Sequence, residues 1–205
     1  MNLISQIIQE SLLTKQALLE QTDLIQSITN CLIDTFRQGN KLLICGNGGS
    51  AADAQHIAAE FVGRFLHERA AIPAIALTTN TSSLTALGND YNHNIIFARQ
   101  VEAFARPGDV FAGISTSGNS ANVIQGAIAA RKHGCFTVGF TGKKGGKLKD
   151  HVDICLCVSS DSTPRIQEAH ILVWHIICEL VEVAMLKKEQ LNNLNTLPSV
   201  KVHAG

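Results

Sequence analysis

Aromatic residues are scarce in this sequence, and neither sign of charge is in excess. Phe, Tyr and Trp make up 5% of the 205 residues, and 17 basic residues balance 17 acidic residues to a formal net charge of zero. A chain without a basic surplus has little means of neutralising a phosphate backbone. We therefore expect no nucleic-acid partner.

Long apolar runs are also missing. No segment approaches the ~20 consecutive apolar residues that a membrane-spanning helix requires. Residues 1–21 are interrupted by Gln, Glu and Lys, and they lack the charged start and unbroken apolar centre of a signal peptide. These two absences predict a cytoplasmic protein that does not enter a membrane.

No two of the six cysteines form a CxxC pair, so the sequence offers neither a zinc ribbon nor a redox dithiol of that type. The six are Cys31, Cys45, Cys135, Cys155, Cys157 and Cys178. Most lie in apolar runs, as buried thiols do. Cys155 and Cys157, two residues apart in VDICLCV, would share one face of a strand. We expect reduced cysteines with structural roles.

What the chain does contain is enough apolar mass for a folded core. Hydrophobic residues make up 45% and charged residues 17%, a balance typical of globular proteins. The length favours one domain. We predict a single domain over 1–190, including an N-terminal helical segment over 1–38, followed by a flexible polar tail over 191–205.

The N-terminal part has the period of a helix. Residues 3–38 carry an apolar stripe at helical spacing and are predicted to be helical. The stripe begins with Ile4, Ile7, Ile8, Leu12 and Leu13.

Beyond residue 38, short apolar runs alternate with helix-like segments. The runs are 41–45, 71–77, 109–115, 136–140 and 152–158, and the helix-like segments are 50–65, 82–87 with 96–104, 120–133 and 164–188. Runs that are apolar at consecutive positions are typical of strands buried on both faces of a parallel sheet. We predict an α/β fold: a doubly wound, five-stranded parallel sheet flanked by helices, with long N- and C-terminal helices.

The run 41–45 ends in a glycine cluster, GNGGS, that opens the next helix-like segment. Gly46, Gly48 and Gly49 permit positive φ angles and close backbone approach, and Ser50 suits a helix N-cap. A junction of this kind presents free amides and a positive helix end to an anion. The alternative is a tight turn that binds nothing. The spacing matches neither a dinucleotide-binding fingerprint nor a P-loop.

A second junction of the same kind, GISTSGNSANV over 113–123, is rich in hydroxyls. Ser115, Thr116, Ser117 and Ser120 lie within six residues, after a predicted strand and before a predicted helix. Hydroxyls and amides at a helix N-terminus suit a phosphate monoester. The alternative is a serine-rich turn whose hydroxyls cap local amides. Four hydroxyls exceed what one cap needs, so we favour the phosphate interpretation.

Two helix-like segments carry ionisable residues in positions that suit chemistry. His56 and Glu60 are four residues apart and share a helix face, which suits two ligands of one metal ion or a His–carboxylate acid/base pair. The segment 164–188 carries Gln167 and His175 in RIQEAHILVWH. Because His175 lies in a strongly apolar stretch, that stretch alone favours a buried core histidine over a functional one.

The assembled motifs resemble those of a known family. CGNGGSAADAQH, LGND, STSGNSANV, FTGKKGG and RIQEAHILVWH are similar to the motifs of phosphoheptose isomerases, which are sugar-isomerase (SIS) domain proteins, and the match extends over nearly the whole chain. STSGNS alone would specify only the wider SIS superfamily. Phe140 stands where leucine is commoner, and we expect this departure to affect packing only.

The resemblance implies an aldose–ketose isomerase that converts sedoheptulose 7-phosphate to D-glycero-D-manno-heptose 7-phosphate through an enediol or enediolate. This reaction is the first step of heptose precursor synthesis for lipopolysaccharide core or other glycans. Glu60 and His175 match the catalytic acid/base pair. The residues that match substrate-binding positions are Asn47, Gly48, Gly49, Ser50, Glu60, Asn89, Asp90, Ser115, Thr116, Ser117, Ser120 and Gln167.

The resemblance also implies a cofactor and an assembly. One Zn²⁺ per subunit would be held by the residues that match the family's metal positions, which are His56, Glu60, Gln167 and His175. The family is typically a homotetramer with active sites at subunit interfaces.

A non-catalytic alternative exists on the same fold. An SIS adaptor that associates with the bacterial replication initiator keeps the glycine and serine loops, but it lacks the carboxylate and imidazole that correspond to Glu60 and His175. Since both groups are present here, we favour the enzyme over a sugar-phosphate-binding adaptor.

The implied zinc set carries two difficulties. Gln167 and His175 are eight residues apart, or about 12 Å along a straight helix. They cannot approach one ion from equal depth unless Gln167 reaches far or a second subunit contributes. A glutamate bound tightly to zinc is also a poorer base, so either Glu60 shifts or zinc mainly organises the site.

Overall fold

The computed structural model describes residues 2–186, and these form a five-stranded parallel sheet with helices on both faces. The predicted tail over 191–205 lies outside the described residues. The strands are β1 (Leu42–Gly46), β2 (Ala74–Ala76), β3 (Val110–Ser115), β4 (Phe136–Thr141) and β5 (Ile154–Cys157). Their order in the sheet is β2-β1-β3-β4-β5, which confirms the predicted doubly wound fold.

The helices alternate with the strands as predicted. They are α1 (Leu3–Gln16), α2 (Thr22–Arg37), α3 (Gly49–Val62), α4 (Thr81–Asp90), α5 (Ile96–Phe104), α6 (Ala121–Lys132) and α7 (Thr163–Met185). Within residues 2–186, no helix combines the length and the hydropathy that crossing a membrane would need.

Two predicted elements differ from those observed. The helical segment over 3–38 is broken by a 3₁₀ turn at Ala17–Gln21, and the backbone of Gln21 leaves the helical region (φ −116°, ψ 15°) before α2 begins. The strand over 71–77 shrinks to β2. Its start does not pair with β1 because the Ile72 N–H donates to the carbonyl oxygen of Phe61, at 3.0 Å, near the end of α3.

The sheet separates two hydrophobic layers. On one face, α2, α3 and α7 pack on strand side chains such as Ile44 and Phe140, and Phe140 stacks on Trp174 with ring centroids 4.6 Å apart. On the other face, α5 and α6 pack on Leu43 and Phe111. Parallel strands covered on both faces bury nearly every residue, which is why β1 and β3 read as unbroken apolar runs.

A buried carboxylate fastens α7 to the segment that follows α3. Glu182 is 1% exposed and accepts hydrogen bonds from the backbone N–H groups of Phe65, Leu66 and His67 at 2.8, 2.6 and 2.8 Å. The guanidinium of Arg69 lies 3.2 Å from the same carboxylate. Burial opposes ionisation of Glu182, but the three amides and Arg69 outweigh burial and lower the pKa of the carboxyl.

Removing the charge of Glu182 should destabilise the fold strongly. Glu182→Gln keeps the size of the side chain but leaves Arg69 buried without its counter-charge, and such a loss costs about 3–5 kcal/mol. We expect urea unfolding at neutral pH to show it. The control is Glu102→Gln, which breaks the exposed pair with Arg99 and should cost at most about 1 kcal/mol. Equal losses in the two variants would contradict the anchoring role.

The stabilities of wild type and Glu182→Gln should also depend differently on pH. Because the folded pKa of Glu182 is lowered, its contribution is present above the pKa of an unfolded glutamate, about 4.3. That contribution is lost as the pH falls through the folded pKa. The stability difference between wild type and Glu182→Gln should therefore shrink on acidification below about pH 4, and a difference that grows there would overturn the assignment.

Candidate active site

The carboxyl ends of β1 and β3 place the two predicted loops side by side. The strands are hydrogen-bonded neighbours, and Gly46 is in register with Ile114. The glycine loop (46–50) follows β1 and leads into α3, whereas the serine loop (115–120) follows β3 and leads into α6. Because α3 and α6 pack on opposite faces of the sheet, the crevice between β1 and β3 is a topological switch point, where open α/β sheets bind ligands.

In the glycine loop, the backbone approaches its neighbours too closely for side chains. A Cβ on Gly46 would lie 2.6 Å from the carbonyl oxygen of Ser50, and Gly48 has a φ of +56°. A Cβ on Gly49 would lie 2.6 Å from Nε2 of Gln167. The side-chain amide of Gln167, which α7 provides, therefore rests against the first turn of α3.

A pair of side-chain amides joins the two loops. Asn47 Nδ2 donates to Asn122 Oδ1 at 2.9 Å, and Asn122 Nδ2 donates to Asn47 Oδ1 at 2.8 Å. Asn122 is 3% exposed and also donates to Nε2 of His93 at 3.2 Å. Sequence reasoning missed Asn122 and His93. Asn122 lies within the STSGNSANV motif, but its partner Asn47 is 75 residues away, and no local pattern marks such a pair.

The hydroxyls of the serine loop bond to one another and to their own backbone. Ser115 Oγ donates to Ser120 Oγ at 2.9 Å, and the backbone N–H of Asn119 donates to Ser117 Oγ at 3.1 Å. The second bond is the local turn bond that the alternative interpretation requires. Ser120, by contrast, occupies the N-cap position of α6 without making a side-chain capping bond. Its hydroxyl is therefore not used to cap the N-terminus of α6.

A pocket beside the serine loop is lined by hydroxyls and two lysines. Thr116 and Ser117 contribute from the serine loop, and Lys143 and Lys144 contribute from the loop after β4. The two loops touch backbone to backbone, since a Cβ on Gly118 would overlap the next loop. Asp161 lines the same pocket, so an anion there would be near two lysines and one acidic residue.

His56, Glu60 and His175 lie together where α3 meets α7. His56 Nε2 is 3.0 Å from Glu60 Oε1. The rings of His56 and His175 meet edge to face with centroids 5.2 Å apart, and Phe65 packs against His175 at 5.4 Å. Nε2 of His175 is buried and has no hydrogen-bond partner among the described residues. Buried polar atoms without partners are rare, and this one has the position of a group that bonds to a substrate or a metal ion.

The core histidine of α7 is His170 rather than His175. His170 is fully buried, and its Nε2 donates to the carbonyl oxygen of Thr141 at 3.1 Å. Burial lowers the pKa of His170 to about 4, so its ring is neutral at physiological pH. His175 is only half-buried and faces the ionisable cluster, so the core role that the apolar stretch alone favoured is wrong for His175.

Comparison with known proteins gives consistent matches. The SIS domain family profile matches residues 8–142. The phosphoheptose isomerase of Roseiflexus sp. (strain RS-1) is 61% identical over 168 residues, which are 82% of this chain and 85% of the relative. That of Clostridium acetobutylicum is 52% identical over 184 residues, 88% and 94% of the two chains. The solved structure of the Neisseria gonorrhoeae phosphoheptose isomerase superposes with a TM-score of 0.83 at 42% identity, covering 87% of this chain and 96% of the other.

The chain belongs to the phosphoheptose isomerase family of SIS-domain proteins. It is accordingly an enzyme of the aldose–ketose isomerase class, and the resemblance drawn from the motifs is confirmed. The adaptor alternative is not favoured, since the relatives matched across most of the chain are phosphoheptose isomerases.

Asn89 and Asp90, which the motif resemblance predicts to contact the substrate, lie in the last turn of α4. Both are exposed, and Asn89 Nδ2 donates to Asp90 Oδ1 at 2.9 Å. No hydrogen bond joins either side chain to the glycine or serine loop within residues 2–186. The link between this segment and the loops is His93, three residues further on, through its contact with Asn122.

The four residues that the motif resemblance predicts as zinc ligands are only partly assembled. His56, Glu60 and His175 are adjacent, whereas the Gln167 amide lies against Gly49. Across the described part of the chain, no group of three or more His, Cys, Asp and Glu side chains is arranged to hold a metal ion. The donor chemistry, two imidazoles and a carboxylate, and the unpartnered Nε2 of His175 do fit Zn²⁺.

Asp53 is a neighbour of this cluster that sequence reasoning missed. It lies one turn before His56 on α3, and its Oδ2 is buried without a hydrogen-bond partner among residues 2–186. Burial raises the pKa of the Asp53 carboxyl, and the imidazoles of His56 and His175 oppose this rise. The signal was available as spacing, because Asp53, His56 and Glu60 follow the i, i+3, i+7 pattern of one helix face.

A negative charge in the serine loop should weaken substrate binding. Ser117 is exposed at the pocket beside α6, so Ser117→Asp should repel a phosphate and raise KM about tenfold or more, equivalent to about 1.4 kcal/mol. Steady-state kinetics measure the effect, and circular dichroism checks the fold. Ser117→Ala, which removes the hydroxyl without adding charge, is the matched control and should raise KM less. An unchanged KM in Ser117→Asp would exclude the serine loop as the phosphate site.

Proposed function

We propose that this chain interconverts sedoheptulose 7-phosphate and D-glycero-D-manno-heptose 7-phosphate in the cleft bounded by the glycine loop, the serine loop and the His56–Glu60–His175 cluster. One observation supports this most. The His56–Glu60–His175 cluster on α3 and α7 and the two loops suited to anion binding, the glycine loop and the serine loop, lie at one edge of the sheet. Such a site can hold a phosphate at one end and move protons at the other.

The phosphate would lie on the serine loop. Ser115, Thr116, Ser117 and Ser120 supply hydroxyls, and the N-terminus of α6 supplies partial positive charge. Lys143 and Lys144, which line the adjoining pocket, would add favourable charge. Binding energy from this remote group positions the carbonyl end of the sugar, so the chemical step does not need it directly.

The sugar chain would run past the glycine loop. Gly49 and Ser50 belong to the first turn of α3, whose N–H groups have no helical partner. Asn47 and Gln167 place side-chain amides at the same loop, with Asn47 held by its amide pair with Asn122. These N–H groups and side-chain amides can form hydrogen bonds with sugar hydroxyls. Asn89 and Asp90 complete the set of residues that match substrate positions.

Isomerisation moves a proton between C1 and C2 through an enediol or enediolate, which needs a base at carbon and an acid at oxygen. We assign the carbon-bound proton to Glu60, whose carboxylate is oriented by Nε2 of His56. We assign the proton at oxygen to His175, whose Nε2 is buried and free of other bonds among the described residues. Phe65 packs against the His175 ring and holds it in place.

Zinc is part of the proposal. His56, Glu60, His175 and the side-chain oxygen of Gln167 would hold one ion per subunit. A group bound to the ion cannot transfer a proton, so Glu60 and His175 would have to leave the ion when they act as base and acid. When bound, the ion would polarise the sugar carbonyl as a Lewis acid. Gln167 lies against Gly49 rather than beside His175, so its side chain would have to turn toward the ion from there.

Loss of the Glu60 carboxylate should abolish most of the activity. Glu60→Gln keeps size and hydrogen bonding but removes the base, so kcat should fall about 100-fold or more. Substrate affinity should survive because the serine loop is untouched. His175→Gln should lower kcat by a comparable factor. In the double variant, the decrease in kcat should be far smaller than the product of the two single decreases. The direct assay is exchange of solvent deuterium into the sugar at C1 or C2.

Glu20→Gln, the same substitution at an exposed position, is the control and should keep wild-type exchange. If Glu60→Gln exchanges at the wild-type rate, Glu60 is not the base. If wild type itself exchanges no ketose phosphate, with or without zinc, the site is a binding site only. The zinc content of the purified proteins is a second, independent measurement. Zinc content should fall in Glu60→Gln and His175→Gln but not in Glu20→Gln.

The homotetramer is proposed from the unusual orientation of α1. Its polar side faces the protein, where Ser11 Oγ donates to Glu168 at 2.7 Å and Arg165 donates to the carbonyl oxygen of Ile7 at 3.1 Å. Its apolar side is exposed, and the exposed side chains are Leu3, Ile4, Ile7, Ile8, Leu12 and Leu13. Contiguous apolar surface of this kind marks an interface. Because α1 rests on α7 beside Gln167, assembly through α1 would bring subunit contacts close to the active site.

Charges on the exposed side of α1 should break the assembly. The double variant Ile8→Glu with Leu12→Glu places two carboxylates on the apolar stripe, and sedimentation velocity at micromolar concentration should show a smaller species than the wild-type tetramer. Gln125→Glu, which adds a charge at an exposed position of α6 away from the stripe, should leave the tetramer intact. A monomeric wild type would contradict the proposal.

We also propose a cytoplasmic location and a product that feeds heptose-containing glycans such as lipopolysaccharide core. The cysteines of the described chain are free, which supports the location. Support for the pathway comes from the family to which the chain belongs.

A further inference from the structure

Two cysteines that the isomerase site does not use lie side by side on β5. Cys155 and Cys157 point to the same face of this strand, and their Sγ atoms are 3.8 Å apart. Both are half-buried, and β5 is the edge strand of the sheet. Their thiols therefore form a pair that a small solute can approach.

The separation of the two sulfurs fits a shared centre better than a direct bond. Two thiolates on one tetrahedral ion with metal–sulfur bonds of about 2.3 Å have their sulfurs about 3.8 Å apart. A disulfide would have to draw the sulfurs to about 2.05 Å. It would also have to join Cα atoms that lie about 6.6 Å apart along a strand, near the upper limit for disulfides. An atom inserted between the sulfurs needs no such movement.

The surroundings of the pair supply a hydroxyl and a positive charge. Thr141 Oγ1 lies 3.3 Å from Sγ of Cys157 and 3.5 Å from Sγ of Cys155. The hydrogen bond between the two thiols is the main cause that lowers the pKa of Cys157, and the ammonium of Lys149 acts in the same direction. The same bond raises the pKa of Cys155. The contact between the thiols thus favours loss of the first proton from Cys157.

The other cysteines lack these properties. Burial raises the pKa of Cys31 and Cys135 to about 11 and that of Cys178 to about 12, and it raises the pKa of Cys45 further. None of these four has a second thiol as a hydrogen-bond partner among the described residues. Reaction with a thiophilic reagent should therefore concentrate at β5.

We propose that Cys155 and Cys157 form a two-thiolate site for a soft, thiophilic metal or metalloid centre, separate from the isomerase site. Trivalent arsenic and Cd²⁺ are the probes of this chemistry. With phenylarsine oxide, two As–S bonds form, and the arsenic-bound oxygen leaves as water with the two thiol protons. Arsenic stays trivalent, so no oxidant or reductant is needed. With Cd²⁺, the thiol protons pass to solvent.

Intact mass spectrometry of the full chain tests the proposal. In the presence of excess monothiol, which removes singly bound arsenic, wild type should retain one phenylarsine oxide less one water. Cys155→Ser and Cys157→Ser should each retain none, whereas Cys31→Ser, which removes another half-buried thiol, should behave as wild type. Retention by Cys155→Ser would overturn the proposal. So would failure of wild type to retain the reagent.

Two further measurements keep the test independent of variant folding and of the isomerase site. After arsenical treatment of wild type, alkylation and peptide mapping should find Cys155 and Cys157 protected while Cys31 is modified, and the opposite pattern would exclude the site. Cd²⁺ should produce an ultraviolet thiolate-to-cadmium charge-transfer band that phenylarsine oxide suppresses. The His56–Glu60–His175 cluster has no thiolate and cannot produce that band. Absence of the band in wild type would limit the site to arsenic and contradict its assignment to soft cations.

Discussion

The relative position of α3 and α7 depends on the interactions of the Glu182 carboxylate. It binds three successive backbone amides of the segment after α3 and pairs with Arg69. The guanidinium of Arg69 in turn donates to the carbonyl oxygens of Phe61 and Glu60, at 2.8 and 2.7 Å, in the last turns of α3. α7 and α3 are therefore held by one charge network, and the two helices carry His175 and Glu60. A buried, ionised carboxylate is tolerated because every partner is in place.

A second constraint comes from the parallel sheet. Since all strands run the same way, the loops after β1 and β3 emerge at one edge, and the crossover of α3 and α6 to opposite faces opens a crevice between them. The Asn47–Asn122 amide pair closes the crevice at its base. The serine loop and the His56–Glu60–His175 cluster thus lie on different secondary-structure elements of one scaffold, an arrangement that the proposed function needs for precise positioning.

Residues of the same type have different properties in this structure because their surroundings differ. His170 and His175 lie five residues apart on α7, yet one is buried against the Thr141 carbonyl and the other faces Glu60 and His56. The six cysteines divide in the same way, since burial keeps most of them inert while the edge of the sheet leaves Cys155 and Cys157 accessible as a pair. In α1 the usual arrangement is reversed, with polar contacts turned toward the protein and apolar side chains exposed.

The roles of Glu60 and His175 stay predictions from the resemblance of the motifs. The sequence by itself determined the fold class, the two loops and the placement of His56 and Glu60 on one helix face. These depend on local patterns: buried runs, glycines at tight turns, hydroxyls before a helix, and i, i+4 spacing. Only the tertiary structure distinguished the two histidines of α7, since it buries His170 and places His175 beside His56. It also revealed Asn122 and Asp53 and set Gln167 against the glycine loop. Those features arise from contacts between residues that are distant in sequence, such as the 75 positions between Asn47 and Asn122, and no local pattern encodes them.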